Sequence, residues 1–422
     1  MTSRRTFLKY FSSAAICGGH PSLMALEQSP RSGKFLITVQ APGGWDVTCF
    51  CDPKINIKGE KEITWWSREN EPLAIGGLSY APFAANDQFF KKHANKILII
   101  NGVDTQTNSH DTGVTVSWSG RTALGYPSIS ALNSAIYGPS LPMSYISFGG
   151  FGNTESLIRS TIVSSGVDQL ADLLSPNPKP QGLPHAIDPE LWRLIRKLNT
   201  QDAGEYLADE KTVSGNRNLL KAYYQSMQNV DPLAEFSSTL GNASDWEFSD
   251  DEYLKKQAFF AITAFSSGVS ISADLLAPGN WDSHKDNDEN QTSNLTQLTE
   301  GLDYIWDLAE AAGVADQLLV VVGSDFSRTP FYNAENGKDH WSTGSYLVME
   351  KNAKYANKTI GATDERHNAL KVDPVTLEPS NFGTKIFTSH VHDALREHLG
   401  LANTATANIF PFNNTEQFNF FS

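Results

Sequence analysis

Carboxylate and imidazole side chains follow, or lead into, five short apolar runs of this chain. The runs, each with its polar cluster, are Lys34–Asp46, Lys96–Asp111, Val269–His284, Gln317–Pro330 and Gly337–Met349. The side chains that could bind a metal ion or move a proton are Asp46, His110, Asp282, His284, Asp325 and His340. Buried parallel strands are short continuous apolar runs, and open α/β sheets bind ligands at the carboxyl ends of their strands. If these runs are parallel strands, the side chains lie at one edge of one sheet, as a metal-assisted hydrolase requires.

Two of the clusters pair an aspartate with a histidine. Asp282 and His284 stand two residues apart just after a strand, where both can turn toward one ion. Asp339 and His340 form a second pair of possible metal ligands, which enters a strand rather than leaving one. The alternatives are an acidic loop that holds a histidine, and a capping Asp339 beside a packed His340. We expect Asp282, His284 and His340 to converge on one point.

The remaining clusters add carboxylates and a guanidinium. Asp325 ends the most apolar strand, and Arg328 lies three residues further on. A guanidinium there could grip a phosphate-like or sulfate-like group, or it could simply pair with a nearby aspartate. Asp46 follows Gly43 and Gly44, whose small size lets the backbone approach a ligand.

Composition describes a globular, acidic protein. The chain has 422 residues, 40% of them hydrophobic, and a formal net charge of −14. Such a charge repels nucleic acid and anionic membrane surfaces, and it suits a protein that holds divalent cations. After the N-terminal segment no stretch approaches the roughly 18 apolar residues of a membrane span. We expect neither a nucleic-acid partner nor a transmembrane span.

The N-terminus has the features of a twin-arginine export signal. A basic start, Ser3–Lys9, carries Arg4 and Arg5 and precedes the mildly apolar stretch Tyr10–Gly18. We expect residues 1–25 to be the signal, with residues 3–9 contacting the Tat export machinery, and residues 26–33 to be a linker. The protein is then periplasmic or secreted.

The rest of the chain, 34–422, is predicted to be a single α/β domain. Strands are expected near 35–40, 97–103, 143–148, 269–276 and 318–322. Helices are expected near 128–136, 189–198, 218–228, 253–267, 295–306 and 389–399. Residues 151–250 are rich in loops and helical segments and are predicted to be an insertion that caps the sheet edge. The histidines of the last helix, His390, His392 and His398, are expected at the surface. Cys49 and Cys51 could bind metal, form a strained disulfide or be semi-buried thiols.

On three motifs the chain resembles a Tat-exported bacterial family of unknown function, domain of unknown function 1501, related to the alkaline phosphatase and sulfatase superfamily. The motifs are Trp281–His284, Ser324–Pro330 and Asp339–Trp341. The resemblance implies an alkaline-phosphatase-like α/β fold, with a central, mostly parallel sheet, helices on both faces and a cap insertion.

The resemblance also implies roles for individual residues. Asp282, His284 and His340 match one metal site of the superfamily, and Asp46 and Asp325 match a second. Phe326 stands where the second site has a histidine. The segment that carries the superfamily nucleophile ends in Thr/Ser-Gly-Arg, here Ser119–Arg121, which puts His110 at the nucleophile position.

The leading hypothesis is an exported, metal-dependent hydrolase of phosphate or sulfate esters with a two-metal-type site. Its substrate would be a small anionic ester or a sulfated or phosphorylated glycan. Zinc suits the Asp/His/His set, and Ca²⁺, Mg²⁺ or Mn²⁺ suits the carboxylates. His110 would be a ligand, a nucleophile or a proton carrier, and Arg328 would clamp the anion. The alternative is a non-catalytic exported binding or assembly protein that keeps the fold. A polysaccharide-acting protein, suggested only by Trp65 and Trp66, ranks last.

Overall fold

The computed structural model describes residues 33–149, 151–163, 187–208, 214–241 and 246–422. The predicted export signal and most of the predicted linker lie outside these residues. The strands are β1 Phe35–Ala41, β2 Leu73–Ile75, β3 Leu78–Tyr80, β4 Ile97–Asp104, β5 Tyr145–Ser147, β6 Ser160–Ile162, β7 Ser272–Leu276, β8 Leu318–Ser324, β9 Ser327–Arg328, β10 His340–Trp341, β11 Thr343–Glu350, β12 Lys358–Ile360, β13 Lys371–Val372 and β14 Thr384–Phe387. The helices are α1 Asn86–His93, α2 His110–Ser119, α3 Ile129–Tyr137, α4 Pro189–Ala208, α5 Ser214–Gln228, α6 Val230–Leu240, α7 Tyr253–Ser266, α8 Asn287–Ala311 and α9 Thr388–His398.

A mostly parallel sheet forms the centre of the described chain. Its strand order is β13-β14-β4-β11-β8-β1-β7-β5-β6, and β12 pairs with β4. β1 is parallel to both of its neighbours, β7 and β8. The predicted mixed α/β fold with a mostly parallel central sheet is therefore confirmed.

The direction of strand β11 decides which edge of the sheet His340 reaches. β11 is antiparallel to β4 on one side and to β8 on the other. Its first residue therefore lies at the edge where β1, β7 and β8 end. His340, which precedes β11, reaches the same edge as the residues that follow the parallel strands. A parallel β11 would have put His340 on the opposite edge, so all the clusters meet only because this strand is reversed.

Helices cover both faces of the sheet. The side chains of β1 therefore alternate between two apolar cores, one under each helix layer. Ile37 and Val39 belong to the core under α7 and α8. Leu36 belongs to the core under α3 and α9, on the other face. The amphipathic stretch Leu295–Trp306 is the centre of α8, and its apolar side chains are buried in the first core. This burial fixes the rigid frame from which the edge loops extend.

The described parts of residues 151–250 contain one sheet strand and several helices. β6 pairs with β5 at the edge of the central sheet. α6 packs on α7 through Phe236, whose ring centroid lies 5.1 Å from that of Phe260. α4 is joined to α6 by the pair Arg196–Asp231. The division into a domain and a cap over the sheet edge stays a prediction.

The last helix ends close to the predicted boundary, but its histidines are not at the surface. His390 and His392 are only 4% and 1% exposed, so that prediction is wrong for them. His392 Nε2 donates to the backbone oxygen of Ser117 at 2.9 Å. The helix lies against α2 as well as the sheet, and a polar pattern on one helix cannot reveal such a second neighbour. Within the described ranges, every helix is too short or too polar to cross a membrane.

Candidate metal centre

Loops that follow three parallel strands carry most of the predicted site residues. Asp46 follows β1, Asp282 and His284 follow β7, and Asp325 follows β8. His110 is the first residue of α2, the helix after β4. His340 lies in β10, which pairs with Arg328 of β9.

Asp282, His284 and His340 form a tight triangle. His284 Nε2 lies 3.0 Å from His340 Nε2 and 3.2 Å from Asp282 Oδ1. His340 Nε2 lies 3.3 Å from the same carboxylate oxygen. Ligand atoms about 2.0–2.1 Å from a tetrahedral zinc ion are about 3.3 Å from each other. The structure thus brings together the three residues expected to converge, at separations that fit one small ion.

The other nitrogen of each imidazole is held by a hydrogen-bond acceptor. His284 Nδ1 donates to Asp339 Oδ1 at 2.9 Å. His340 Nδ1 donates to the backbone oxygen of Asn108 at 2.8 Å. Since these acceptors carry no hydrogen, the proton of each neutral ring is on Nδ1 and its lone pair is on Nε2. Metal-binding histidines are oriented in this way.

The Nε2 lone pairs of His284 and His340 need a positive charge between them. Two unprotonated Nε2 atoms 3.0 Å apart, next to a carboxylate oxygen, repel one another unless a proton or a cation lies between them. The side chains of Asp282 and His284 are 41% and 43% exposed, so an ion or a substrate can reach them from solvent. The donor set of two imidazoles and one carboxylate is a zinc-type set.

His110 faces this triangle from α2. Its Nδ1 lies 2.5 Å from Asp325 Oδ2, and its Nε2 lies 3.6 Å from Asp282 Oδ2 without a hydrogen-bond partner among the described residues. The ligand atoms of His110, Asp282 and His340 all lie within 4.8 Å of one another. The hydrogen bond to Asp325 raises the pKa of His110 above its ordinary value. The ring is thus held by Asp325 through one nitrogen, and its second nitrogen faces Asp282.

Arg328 is bonded within the protein in this structure. Its side chain is fully buried, and it donates through Nε to Gly44 O, through Nη1 to Lys338 O and through Nη2 to Asp282 Oδ1 at 2.9, 3.2 and 2.7 Å. A guanidinium with no exposed surface, bonded through all three of its nitrogens, is not open to a substrate anion in this conformation. Burial by itself would raise the pKa of Asp282, but the hydrogen bond and charge of Arg328 lower it below its ordinary value. Arg328 is therefore a positioning residue, and its alternative reading, a pair with a nearby aspartate, is the one observed.

Asp46 lies apart from the other candidate ligands. It is fully buried, and Lys338 Nζ lies 2.7 Å from its Oδ2. Asn287 donates to the same oxygen at 2.9 Å, and Thr48 Oγ1 donates to Oδ1 at 2.6 Å. Burial opposes ionisation, yet Lys338 keeps the pKa of Asp46 below its ordinary value. The expected role of Asp46 as a ligand of a second metal ion does not fit these contacts.

The loop before His340 is bonded to the loop that carries His284. Asn333 donates to the backbone oxygen of His284 at 2.9 Å, and Lys338 N donates to Ser283 O at 3.0 Å. A Cβ atom on Gly337 would lie 1.8 Å from the backbone oxygen of His284. Asp339, expected as a ligand, lies behind His284, and the hydrogen bond from that ring lowers the pKa of Asp339.

Some residues of the site could not be recognised from the sequence. In the sequence Phe326 is notable only because it stands where the related proteins have a histidine. In the structure its ring centroid lies 4.8 Å from that of His110 and 4.5 Å from that of His340. Asn108 contributes only a backbone oxygen, which no side-chain motif can indicate. Nothing in the sequence marks Lys338, because a lysine in a polar loop is normally exposed. Cys49 and Cys51, for which the sequence left three alternatives open, are buried free thiols.

Comparison with known proteins identifies one family. The family described as "Protein of unknown function (DUF1501)" matches residues 160–397, more than half of the chain. This confirms the resemblance seen in the three motifs. No curated protein matches the chain in sequence.

Solved structures of low sequence identity are also similar. The i-CgsB protein in complex with k-i-k-neocarrahexaose is 9% identical, with 92% of this chain and 75% of that chain covered and a TM-score of 0.39. The alkaline phosphatase from the Antarctic bacterium TAB5 is 12% identical, with 76% and 92% covered and a TM-score of 0.34. The phosphonate monoester hydrolase of Agrobacterium radiobacter is 10% identical, with 87% and 74% covered and a TM-score of 0.35. Function is argued below from the residues of the site, not from these likenesses.

Proposed function

This chain belongs to the DUF1501 family, and we propose that it is a metal-dependent hydrolase of phosphate or sulfate esters with Asp282, His284 and His340 as ligands. The observation that carries the proposal is the 3.0 Å approach of two Nε2 lone pairs beside Asp282 Oδ1. The substrate class rests on the resemblance of the motifs at 281–284, 324–330 and 339–341. A glycan that bears such an ester is one possible substrate.

The ligand set favours zinc over harder ions. Two imidazole nitrogens and one carboxylate oxygen are ligands that zinc accepts, whereas Ca²⁺ and Mg²⁺ prefer oxygen ligands. When bound, a zinc-like ion would polarise an anionic ester oxygen and lower the pKa of a coordinated water from about 15.7 toward 7. Asp339 and Asn108 O keep the two rings in the tautomer that such an ion needs.

His110 is assigned the proton transfer. Asp325 accepts from its Nδ1, fixes the ring and raises its pKa, so the imidazolium form extends to higher pH than in a free histidine. Its Nε2 faces the triangle of Asp282, His284 and His340 and has no hydrogen-bond partner among the described residues. An imidazolium in this position can deliver a proton to the leaving-group oxygen of an ester. The nucleophile position suggested by the family resemblance is thus filled by a general acid.

A second function is favoured by one observation. Arg328 and Lys338, two cationic side chains of these loops, are both fully buried and paired with aspartates. Neither is free to bind a substrate anion beside the metal ion. A non-catalytic exported protein that binds metal at the same triangle is the second candidate.

A turnover assay separates the two. The mature chain, stripped with chelator and reloaded with zinc, is assayed with an aryl phosphate and an aryl sulfate, beside Asp282→Asn and Lys285→Met. Lys285 is an exposed residue of the same loop. Hydrolysis that needs zinc, persists in Lys285→Met and is lost in Asp282→Asn supports the hydrolase. Zinc binding by the wild type without turnover on either ester favours the binding protein.

Export remains part of the proposal. It is supported by Arg4 and Arg5 in the basic start and by the apolar stretch Tyr10–Gly18. We expect the full chain to reach the periplasm or the medium, and the double variant Arg4→Lys, Arg5→Lys to stay in the cytoplasm. Equal export of both forms would contradict the Tat assignment.

A further inference from the structure

Lys338 places an ammonium group inside the protein. Its side chain has no exposed surface, and Nζ lies 2.7 Å from Asp46 Oδ2 and 3.0 Å from Thr48 Oγ1. A buried charge is stable only when it is paired and hydrogen-bonded. Lys338 and Asp46 therefore depend on each other for burial.

This pair lies where the sequence led us to expect a second metal ion. The two carboxylates that would hold that ion, Asp46 and Asp325, are each in contact with a cationic or titratable group of the chain. Lys338 lies against Asp46, and His110 lies against Asp325. The remaining oxygen of Asp325 accepts from Gly43 N at 3.0 Å and from Ser324 Oγ at 2.9 Å. Every carboxylate oxygen of these two residues already accepts at least one hydrogen bond or ion pair from the chain.

We propose that Lys338 is a built-in cation that takes the place of the second metal ion, so that the metal centre holds one ion rather than two. The inference rests on the proposed function for the first ion, at Asp282, His284 and His340. It replaces the two-metal-type site expected from the family resemblance.

Lys338 also positions the ligands of the first ion, because its backbone joins the loops that carry them. Its N–H donates to Ser283 O at 3.0 Å, between Asp282 and His284 in the chain. Its carbonyl accepts from Arg328 Nη1 at 3.2 Å, and Arg328 holds Asp282. His340 follows only two residues later. An ammonium anchored at Asp46 therefore fixes three loops at once, and metal affinity should depend on it although it touches no metal ligand directly.

Metal equivalents and affinity measured by elemental analysis and zinc calorimetry test the inference on the mature chain. The wild type is expected to bind one zinc per chain. Asp46→Asn is expected to keep that equivalent. Lys338→Met leaves Asp46 unpaired and is expected to lower the melting temperature and to weaken zinc binding about ten-fold or more. The double variant Asp46→Asn, Lys338→Met removes both charges and is expected to recover most of the melting temperature.

Lys285→Met is the matched control, since Lys285 is an exposed lysine of the bonded loops and pairs with Glu335; it should behave as wild type. Two zinc equivalents in the wild type, one of them lost in Asp46→Asn, would overturn the inference. So would a Lys338→Met variant with unchanged melting temperature and zinc affinity, or a double variant no more stable than Lys338→Met. A wild type that binds no zinc at all would instead overturn the proposed function, and the melting temperatures of the three variants still report whether Lys338 and Asp46 are mutually dependent.

Discussion

Arg328 Nη2 donates to Asp282 Oδ1 at 2.7 Å, from a guanidinium with no exposed surface to a carboxylate that is 41% exposed. The buried partner thus holds the exposed one in place. In this arrangement an arginine that looks like a substrate-binding residue in sequence positions Asp282, the proposed metal ligand, instead.

Arg328→Lys should show that geometry, not charge alone, is required. A lysine cannot reach Gly44 O, Lys338 O and Asp282 together, so we expect a loss of about 2 kcal/mol in unfolding free energy and weaker zinc binding. Denaturant unfolding and zinc calorimetry measure the two effects. If the variant keeps both values and loses only affinity for the ester, Arg328 clamps the substrate after all.

His110→Ala is expected to abolish turnover while the fold remains intact. Loss of a general acid costs about 10²–10⁴-fold in rate, whereas His284 and His340 still bind zinc. The measurement is turnover beside zinc affinity and melting temperature in the same preparation. Zinc affinity that falls together with turnover would make His110 a ligand. Full activity in His110→Ala, with Ser109→Ala or Thr112→Ala inactive, would move the catalytic role to a neighbour.

Asp325→Asn should shift the pH profile of turnover. If His110 is the general acid as proposed, its acid form is the active one, so the rate should fall as pH rises through its pKa. Asp325 raises that pKa, and its neutralisation should therefore move the falling limb to lower pH. The pair of protonated His110 with Asp325 also stabilises the folded state. This stabilisation is complete below about pH 6.5 and is lost as pH rises through the raised pKa of His110. An unchanged alkaline limb would show that His110 is not the group that titrates.

The apolar runs and edge clusters could be predicted because their causes are local. Leu318–Ser324 is a buried strand on composition alone, and Asp325 must then follow at its carboxyl end. The reversed direction of β11 could not be predicted, since it depends on pairing with β4 and β8, which are far away in sequence. For the same reason the partners of Arg328 and the burial of Lys338 became evident only in three dimensions.

Gly337→Ala tests whether the packing of the two loops orients His284. The new Cβ would lie 1.8 Å from the backbone oxygen of His284. The backbone of one of the two loops must therefore move to make room for it. We expect zinc binding to weaken about ten-fold or more, as for loss of other supporting contacts. Gly204→Ala in α4 is the control, because its Cβ would meet only Tyr224 at 3.5 Å. Equal zinc affinity in both variants would show that the contact with Gly337 does not orient the ligand.

Asp274 gives a test of stability away from the metal centre. It is buried in the sheet, Thr38 Oγ1 donates to it at 2.5 Å, and burial raises its pKa to about 6. The folded state therefore binds the proton of the Asp274 carboxyl more tightly than the unfolded state does. The stability that this proton adds is complete below about pH 4 and is lost as pH rises through about 6. The expected loss is about 3 kcal/mol, and Asp274→Asn should remove it. Denaturant unfolding between pH 4 and pH 7 measures it; Asp202→Asn, at an exposed position of α4, should keep the wild-type dependence.

Zinc binding by the triangle itself tests the central claim most directly. The chelator-stripped mature chain, His284→Ala, His340→Ala and the control His398→Gln are titrated with zinc by calorimetry, with metal content checked by elemental analysis. His398 is a histidine held by Glu350, outside the triangle. We expect one zinc per chain in wild type and in His398→Gln, and zinc binding weakened by about two orders of magnitude in either triangle variant. A wild type that binds no zinc, or a His284→Ala and His340→Ala pair that bind it as tightly as wild type, would contradict the account.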